Sequence, residues 1–227
     1  MRYLALATDY DGTIAREDVV DDPTFAALQR LKDSGRRLLL ATGRELGELR
    51  QVCPRLALFD RVVAENGGVI YRPSDHSEIL LAAPPPESFL EALRARGVSP
   101  MSVGRVIVAT WRPHDKVVAE VIQSLGLDLQ IILNKRAVMV LPSGLDKASG
   151  LKAALKDLGI PAERTAAVGD GENDLTMLET CGFSAVVANA IDGLKQKVDM
   201  VLTRDRGAGV VELIAWLLRE EPSANQP

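Results

Sequence analysis

Cysteine is scarce in the 227 residues, with only Cys53 and Cys181 present. They lie far apart, form no CxxC pair and offer no disulfide framework. Each therefore reads as a small core residue of a chain folded in a reducing compartment rather than as a nucleophile. Histidine is equally sparse. His76 and His114 stand in polar turns and complete no HExxH pair or catalytic triad pattern. No stretch approaches the roughly 18 apolar residues that a membrane-spanning helix needs. The first apolar run ends at Thr8 and Asp9, without the basic region and small-residue cleavage site of a signal peptide. Lys and Arg gather into no run and the formal net charge is −4, which leaves no footprint for nucleic acid or an anionic membrane. Internal repeats and low-complexity segments are lacking too. The expectation is a cytoplasmic globular protein of open oligomeric state, able to bind an anion only locally, through a metal, a lysine or backbone amides.

What is present alternates. Residues 3–7 read as a strand, Asp22-Pro23 opens a helix that Gly35 ends, 37–41 is a second strand, 44–52 a helix and 58–64 a third strand. Strand, helix, strand, helix, strand is the pattern of a parallel sheet with right-handed crossovers. After Asn66-Gly67-Gly68, VIYR and EILLAA read as a hairpin, followed by the stiff Pro84-Pro85-Pro86. Between there and Pro142 the order is helix 88–96, strand 105–110, helix 115–125, and strands 129–133 and 137–141 reversed by Asn134-Lys135-Arg136. The first rhythm returns with helix 146–158, strand 165–168, helix 174–181, strand 184–187, helix 191–198, strand 200–202 and helix 210–219; the tail PSANQP is polar and expected to fray. The expected architecture is an α/β core with a Rossmann-like parallel sheet, residues 1–82 and 143–227, carrying a small inserted α+β domain, residues 83–142.

Ligands of parallel sheets bind beyond the carboxyl ends of the strands. Three polar clusters fall there: residues 8–13 (TDYDGT), Thr42-Gly43-Arg44, and residues 169–174 (GDGEND). On an extended segment Asp9 and Asp11 project the same way and Tyr10 the other. Two like charges held together are costly unless a cation compensates them or one keeps a proton. Asp170 and Asp174, four apart, share a face if a helix begins there. Ringed with Asn173, these four acids make an oxygen-rich set that favours Mg2+ over Ca2+. An EF-hand loop fails, since glycine would have to replace Ile14 or Leu175; a dinucleotide fingerprint fails at Asp174, and no GxxxxGK[ST] loop occurs. A carboxylate nucleophile remains.

At this point ATDYDGT resembles motif I (DxDGT) of the haloacid dehalogenase superfamily of phosphohydrolases. LLLATGR is similar to its second motif, DKASGL to its third and VGDGENDLTML to its fourth. VVANAIDGLKQKVDMVL resembles the segment that follows in the Cof-like, type IIB-capped branch. The order and spacing hold over nearly the whole chain, whose size is similar to archaeal-type phosphoglycolate phosphatases. The resemblance implies a Mg2+-dependent phosphatase acting on a small phosphorylated metabolite, such as phosphoglycolate or a sugar phosphate, through an aspartyl-phosphate. Asp9 would attack phosphorus, and Asp11 would protonate the leaving oxygen and then activate water. Asp9, the Asp11 backbone carbonyl and Asp170 would hold the metal, with Asn173 and Asp174 in or just behind that shell. Thr42 would bond the phosphate and Lys147 would neutralise it. Gly12 would free the backbone from the strand with its amide facing the phosphate. Gly43, Arg44, Asn66 and Arg136 would contact substrate, with Glu65, Trp111, Arg112 and Lys135 as further specificity candidates. A phosphate dianion approaching an ionised Asp9 is repelled by about 4 kcal/mol per charge pair at about 4 Å and an effective dielectric of about 20; the metal and Lys147 would have to outweigh that. The sequence departs from the family pattern at Tyr10, Ile14 and Ala148, the last where Lys-Gly is common. A phosphotransferase or phosphomutase on the same scaffold, and a non-catalytic phosphate-ligand sensor, are the alternatives.

Overall fold

The computed structural model describes residues 1–219; the tail PSANQP lies outside them. Strand β1 (Ala5–Asp9) leads to α1 (Asp22–Asp33), β2 (Arg37–Ala41), α2 (Leu46–Val52), β3 (Arg61–Ala64), and the hairpin β4 (Val69–Arg72) and β5 (Ser77–Leu80). The inserted unit follows: α3 (Glu87–Ala95), β6 (Ser102–Val103), β7 (Val108–Trp111), α4 (Asp115–Leu125), β8 (Leu129–Asn134) and β9 (Ala137–Pro142). Then come α5 (Lys147–Leu158), β10 (Thr165–Gly169), α6 (Leu175–Thr180), β11 (Phe183–Val186), α7 (Asp192–Lys195), β12 (Met200–Val201) and α8 (Arg206–Arg219).

The large sheet has the order β12-β11-β10-β1-β2-β3-β4-β5. Its strands are parallel from β12 to β3, and β4 and β5 continue it antiparallel. Central parallel strands are covered on both faces, which is why ALATD, RLLLA and TAAVG are buried almost throughout. Strand parity sorts the core. Leu6, Leu38, Leu40 and Val168 pack on one side with residues of α1 and α8; Ala5, Ala7, Leu39 and Ala41 pack on the other with residues of α5, α6 and α7. Asp9 has the parity of Ala5 and Ala7, so β1 delivers it to the α5 side. The register, Asp9 opposite Ala41 and Thr8 opposite Val168, brings the ends of β1, β2 and β10 side by side.

The smaller sheet, β6-β7-β9-β8, is antiparallel throughout. Val108, Val138 and Val140 pack against Phe89, Leu93, Val118 and Val121 of α3 and α4, while Met139 and Leu141 of the opposite parity join the core of the large sheet. The insert thus lies with one sheet face down on the α/β core.

Several bounds differ from expectation. Pairing with β10 to Thr8 and with β2 to Asp9 carries β1 beyond the expected residue 7. A 3-10 turn, Leu56–Leu58, delays β3. Strand β7 starts at Val108, not 105, because the amides of Arg105, Val106 and Ile107 donate to the Glu65 carboxylate instead of a neighbouring strand. Helix α8 begins four residues before 210, and the two-residue strand β6 was not anticipated.

Candidate active site

Helix α5 opens with a capping box: Asp146 accepts from the Ser149 amide and the Ser149 side chain accepts from the Asp146 amide. This fixes Lys147 at the first helical position, facing the end of β1. Its ammonium is 1% exposed and donates to Asp9 Oδ1 at 2.5 Å and Asp174 Oδ1 at 2.7 Å. Asp174 Oδ2 in turn accepts from the amides of Asp170 and Gly171, both at 2.9 Å, which folds the GDGEND loop over the strand end. Asp9, Asp170 and Asp174 each present an oxygen within 4.8 Å of the others. Gly12, at φ +85°, passes so close that a Cβ there would collide with the Asp170 carboxylate.

The electrostatics of this set are those of too many acids for the cations present. Burial, then the charge of Asp174, raises the Asp9 carboxyl to about 8 against the pull of Lys147. Lys147 is itself raised, the two carboxylates overcoming its burial. Burial also raises Asp170, opposed by Lys135, whose ammonium is 2.8 Å from Asp170 Oδ2. Asp9 Oδ2 is buried without a hydrogen-bond partner. An all-oxygen set with an unpartnered carboxylate oxygen and like charges in contact fits a hard divalent cation.

Other residues behave differently from the reading of the sequence. Asp11 does not share its carboxylate's direction with Asp9. The chain leaves the strand at once, with Tyr10 O accepting from the amides of Thr13, Ile14 and Ala15, so strand alternation ends and Asp11 meets Arg44 at 2.6 and 2.7 Å. Arg44 also pairs with Asp18. The Gly12 amide, expected to face a phosphate, is bonded to Ala15 O at 3.1 Å. Thr42 is buried, its hydroxyl accepting from the Arg44 amide at 3.1 Å. Arg136 stays exposed with its carbonyl taken by the Arg112 amide, and it is the neighbouring Lys135 that enters the site. Gly43 lies where a Cβ would stand 3.1 Å from Met139 Sδ of the insert and 3.8 Å from Asn173 Nδ2. Asn173 Nδ2 donates to Asn66 Oδ1 at 3.0 Å, leaving Asn66 Nδ2 and Asn173 Oδ1 buried and unpartnered.

Asn134 was missed. Its Oδ1 is also buried and unpartnered, against Gly171, where a Cβ would stand 2.5 Å away. The reversal at 134–136 was visible in the sequence, but its landing place depends on how the two sheets stack. Burial raises both thiols, Cys53 to about 11 and Cys181 to about 12, away from the low range of nucleophilic cysteines. A cavity of about 680 Å³, bordered by Arg16, Arg204 and Arg206, contains none of the acidic set. The crowded acids and the unpartnered carboxylate oxygen of Asp9, not open volume, mark the site. Among the described residues no helix is long and apolar enough to cross a membrane.

Comparison with known proteins gives the family. Residues 6–95 and 115–214 match the haloacid dehalogenase-like hydrolase family. The chain is 30% identical to a phosphoglycolate phosphatase of Methanopyrus kandleri over 94% of its length and 96% of the relative's. It is 31% identical to a phosphoglycolate phosphatase of Halorubrum lacusprofundi over 93% and 96%. In fold it is similar to a haloacid dehalogenase-like hydrolase of Bacteroides thetaiotaomicron, with a TM-score of 0.82 at 21% identity covering 95% of this chain and 99% of the other. A subclass IIB sugar phosphatase gives a TM-score of 0.77 at 19% identity, covering 94% and 98%. The chain thus belongs to the haloacid dehalogenase-like hydrolases, as an enzyme of the phosphatase type.

Proposed function

We propose that the protein hydrolyses the phosphomonoester of a small organic acid or sugar, with phosphoglycolate the first candidate, through an aspartyl-phosphate on Asp9. The observation that carries this reading is the Asp9 carboxylate itself. Lys147 fixes one oxygen, while the other, Oδ2, is buried, unpartnered and free to form a P–O bond. As that bond forms, the bond to the leaving oxygen breaks, and Asp11 supplies the proton that the leaving alcohol takes. Asp11 then takes a proton from water, which attacks phosphorus, releases phosphate and restores Asp9. For this Asp11 must turn from Arg44, which engages both its oxygens here. Asp9, Asp170 and the Asp11 carbonyl would hold Mg2+, with Asn173 and Asp174 beside them, and the cation would neutralise the phosphoryl oxygens. In this reading Thr42 and the unpartnered Asn66 Nδ2 serve as phosphate-binding groups. Residues 83–142 act as a cap that excludes water and contacts the leaving group, and the paucity of cysteine supports a cytoplasmic setting.

The test is release of inorganic phosphate from a panel of phosphoglycolate, sugar phosphates and nucleotides. Wild-type protein with Mg2+ should turn over phosphoglycolate, chelation should silence it, and Asp9→Asn should lower kcat by at least about four orders of magnitude with the fold intact by circular dichroism. Undiminished turnover by Asp9→Asn, or indifference to chelation, contradicts the mechanism.

A further inference from the structure

The β8–β9 turn brings one more cation to the acidic set. Lys135 is at φ +55° with its amide donating to Glu172 Oε2 at 3.1 Å, so its backbone is held to the loop that carries Asp170. Its side chain is 52% exposed and reaches Asp170 Oδ2 at 2.8 Å. Beside it lies the buried, unpartnered Asn134 Oδ1. The other two cations are committed: Lys147 bridges Asp9 and Asp174 with 1% exposure, and Arg44 is divided between Asp11 and Asp18. Lys135 alone of the three combines a fixed backbone, a side chain with room to turn and a single carboxylate partner.

That partner is one of the acids that fit a divalent cation. When such a cation compensates Asp170, the ammonium of Lys135 loses its reason to stay there and is left partly desolvated, at the insert side of the site. A phosphate ester of a neutral alcohol offers it nothing on the leaving group. An ester whose leaving alcohol carries a carboxylate replaces Asp170 with a like ligand. Resting on the phosphatase reading above, we propose that Lys135 is a specificity-determining residue that exchanges Asp170 for the leaving-group carboxylate, so that the enzyme prefers phosphorylated hydroxy acids to phosphates of neutral alcohols.

The test compares phosphoglycolate with ethyl phosphate, which has a methyl group in place of the carboxylate, and adds calorimetric titration of Mg2+ into substrate-free protein. Lys135→Ala should lower the ratio of kcat/KM for phosphoglycolate to that for ethyl phosphate by about tenfold, mostly through KM. Lys135→Arg should keep most of the ratio. In the calorimeter Lys135→Ala should bind Mg2+ several-fold more tightly, because a competing ammonium is gone from Asp170. A ratio unmoved by Lys135→Ala, with both esters turned over, overturns this assignment alone, and so does unchanged Mg2+ affinity. Turnover of a sugar phosphate but of neither ester overturns this assignment alone; turnover of nothing in the wider panel overturns the phosphatase reading, and this one with it.

Discussion

Lys147 is a fully buried ammonium holding two carboxylates, Asp9 and Asp174, at 2.5 and 2.7 Å. Its removal leaves two acids buried in contact with no cation, the arrangement in which breaking a buried ion pair costs most, about 3–5 kcal/mol. Lys147→Met, which keeps much of the side chain's bulk, should therefore lower the unfolding free energy by that amount, seen as a lower denaturant midpoint with the slope of the transition unchanged. Phosphate release should fall far more steeply, because the same ammonium orients the Asp9 carboxylate. A variant as stable as wild type would show that the acids do not depend on Lys147. Asp9, Asp170 and Asp174 were legible in the sequence because each stands at or just past a strand end, and parallel topology brings such ends together; Lys147 was legible only through the resemblance of DKASGL to the third motif. The direction of Asp11 was not legible, since it depends on β1 stopping at Asp9 and on the turn that follows. Nor was the role of Tyr10, a departure from the family pattern. Its ring fills the core while its hydroxyl donates to Asp18 O and Val52 O, tying down the loop after the strand.

At the scale of elements, the placing of Lys147 depends on how closely α5 approaches the turn Glu65–Gly67. The resemblance puts a close backbone approach at the residue after the lysine, where this chain has Ala148. In the structure the approach is made by Gly150 and Gly67 instead. A Cβ on Gly150 would stand 2.6 Å from both Gly67 Cα and Val63 Cγ1, and one on Gly67 would collide with Asp146 O. Backbone cannot yield as a flexible side chain can, so Gly150→Ala should displace the start of α5, costing about 1–3 kcal/mol. A shift of about 1 Å at Lys147 should lower kcat by about a hundredfold. Gly47 in α2 is the control, with open space around it; Gly47→Ala should stabilise by about 0.5–1 kcal/mol and leave kcat alone. Equal kcat in the two variants would sever the link between that contact and the chemistry. Helix α4 was read from the sequence with the bounds observed, since its apolar spacing and C-terminal glycine are local signals. The strand expected from 105 failed because a carboxylate 40 residues earlier takes its first amides, a distant partner that no local pattern announces.

For the whole molecule, Glu65 is the clasp between the two sheets and the acidic set is the strain beneath it. The Glu65 carboxylate is 1% exposed and accepts from three consecutive amides of the insert at 2.7 to 3.0 Å. Glu65→Ala would leave those donors without their partner, so amide exchange at residues 105–107 should accelerate while β1 and β10 keep their protection. Slow exchange retained at those amides would remove Glu65 as the clasp. The charge beneath has a consequence for stability that can be read against pH. Burial and the neighbouring Asp174 raise Asp9 from 3.8 to about 8 when no metal is bound, and burial shifts Asp170 the same way. The folded chain then holds a proton that the unfolded chain has released, so the contribution of Asp9 to metal-free stability is full below about 3.8, falls as pH rises toward about 8, and changes no further above that. The slope within that window is at most about 1.4 kcal/mol per pH unit per proton. A divalent cation removes the penalty by taking the place of the proton. Scanning calorimetry in chelator should therefore give a Tm that declines from pH 5 to pH 8, and added Mg2+ should raise Tm more at pH 8 than at pH 5. Asp9→Asn, which cannot ionise at that position, should flatten the decline and shrink the difference. A Mg2+ effect equal at both pH values would mean that the buried acids do not carry the charge assigned to them.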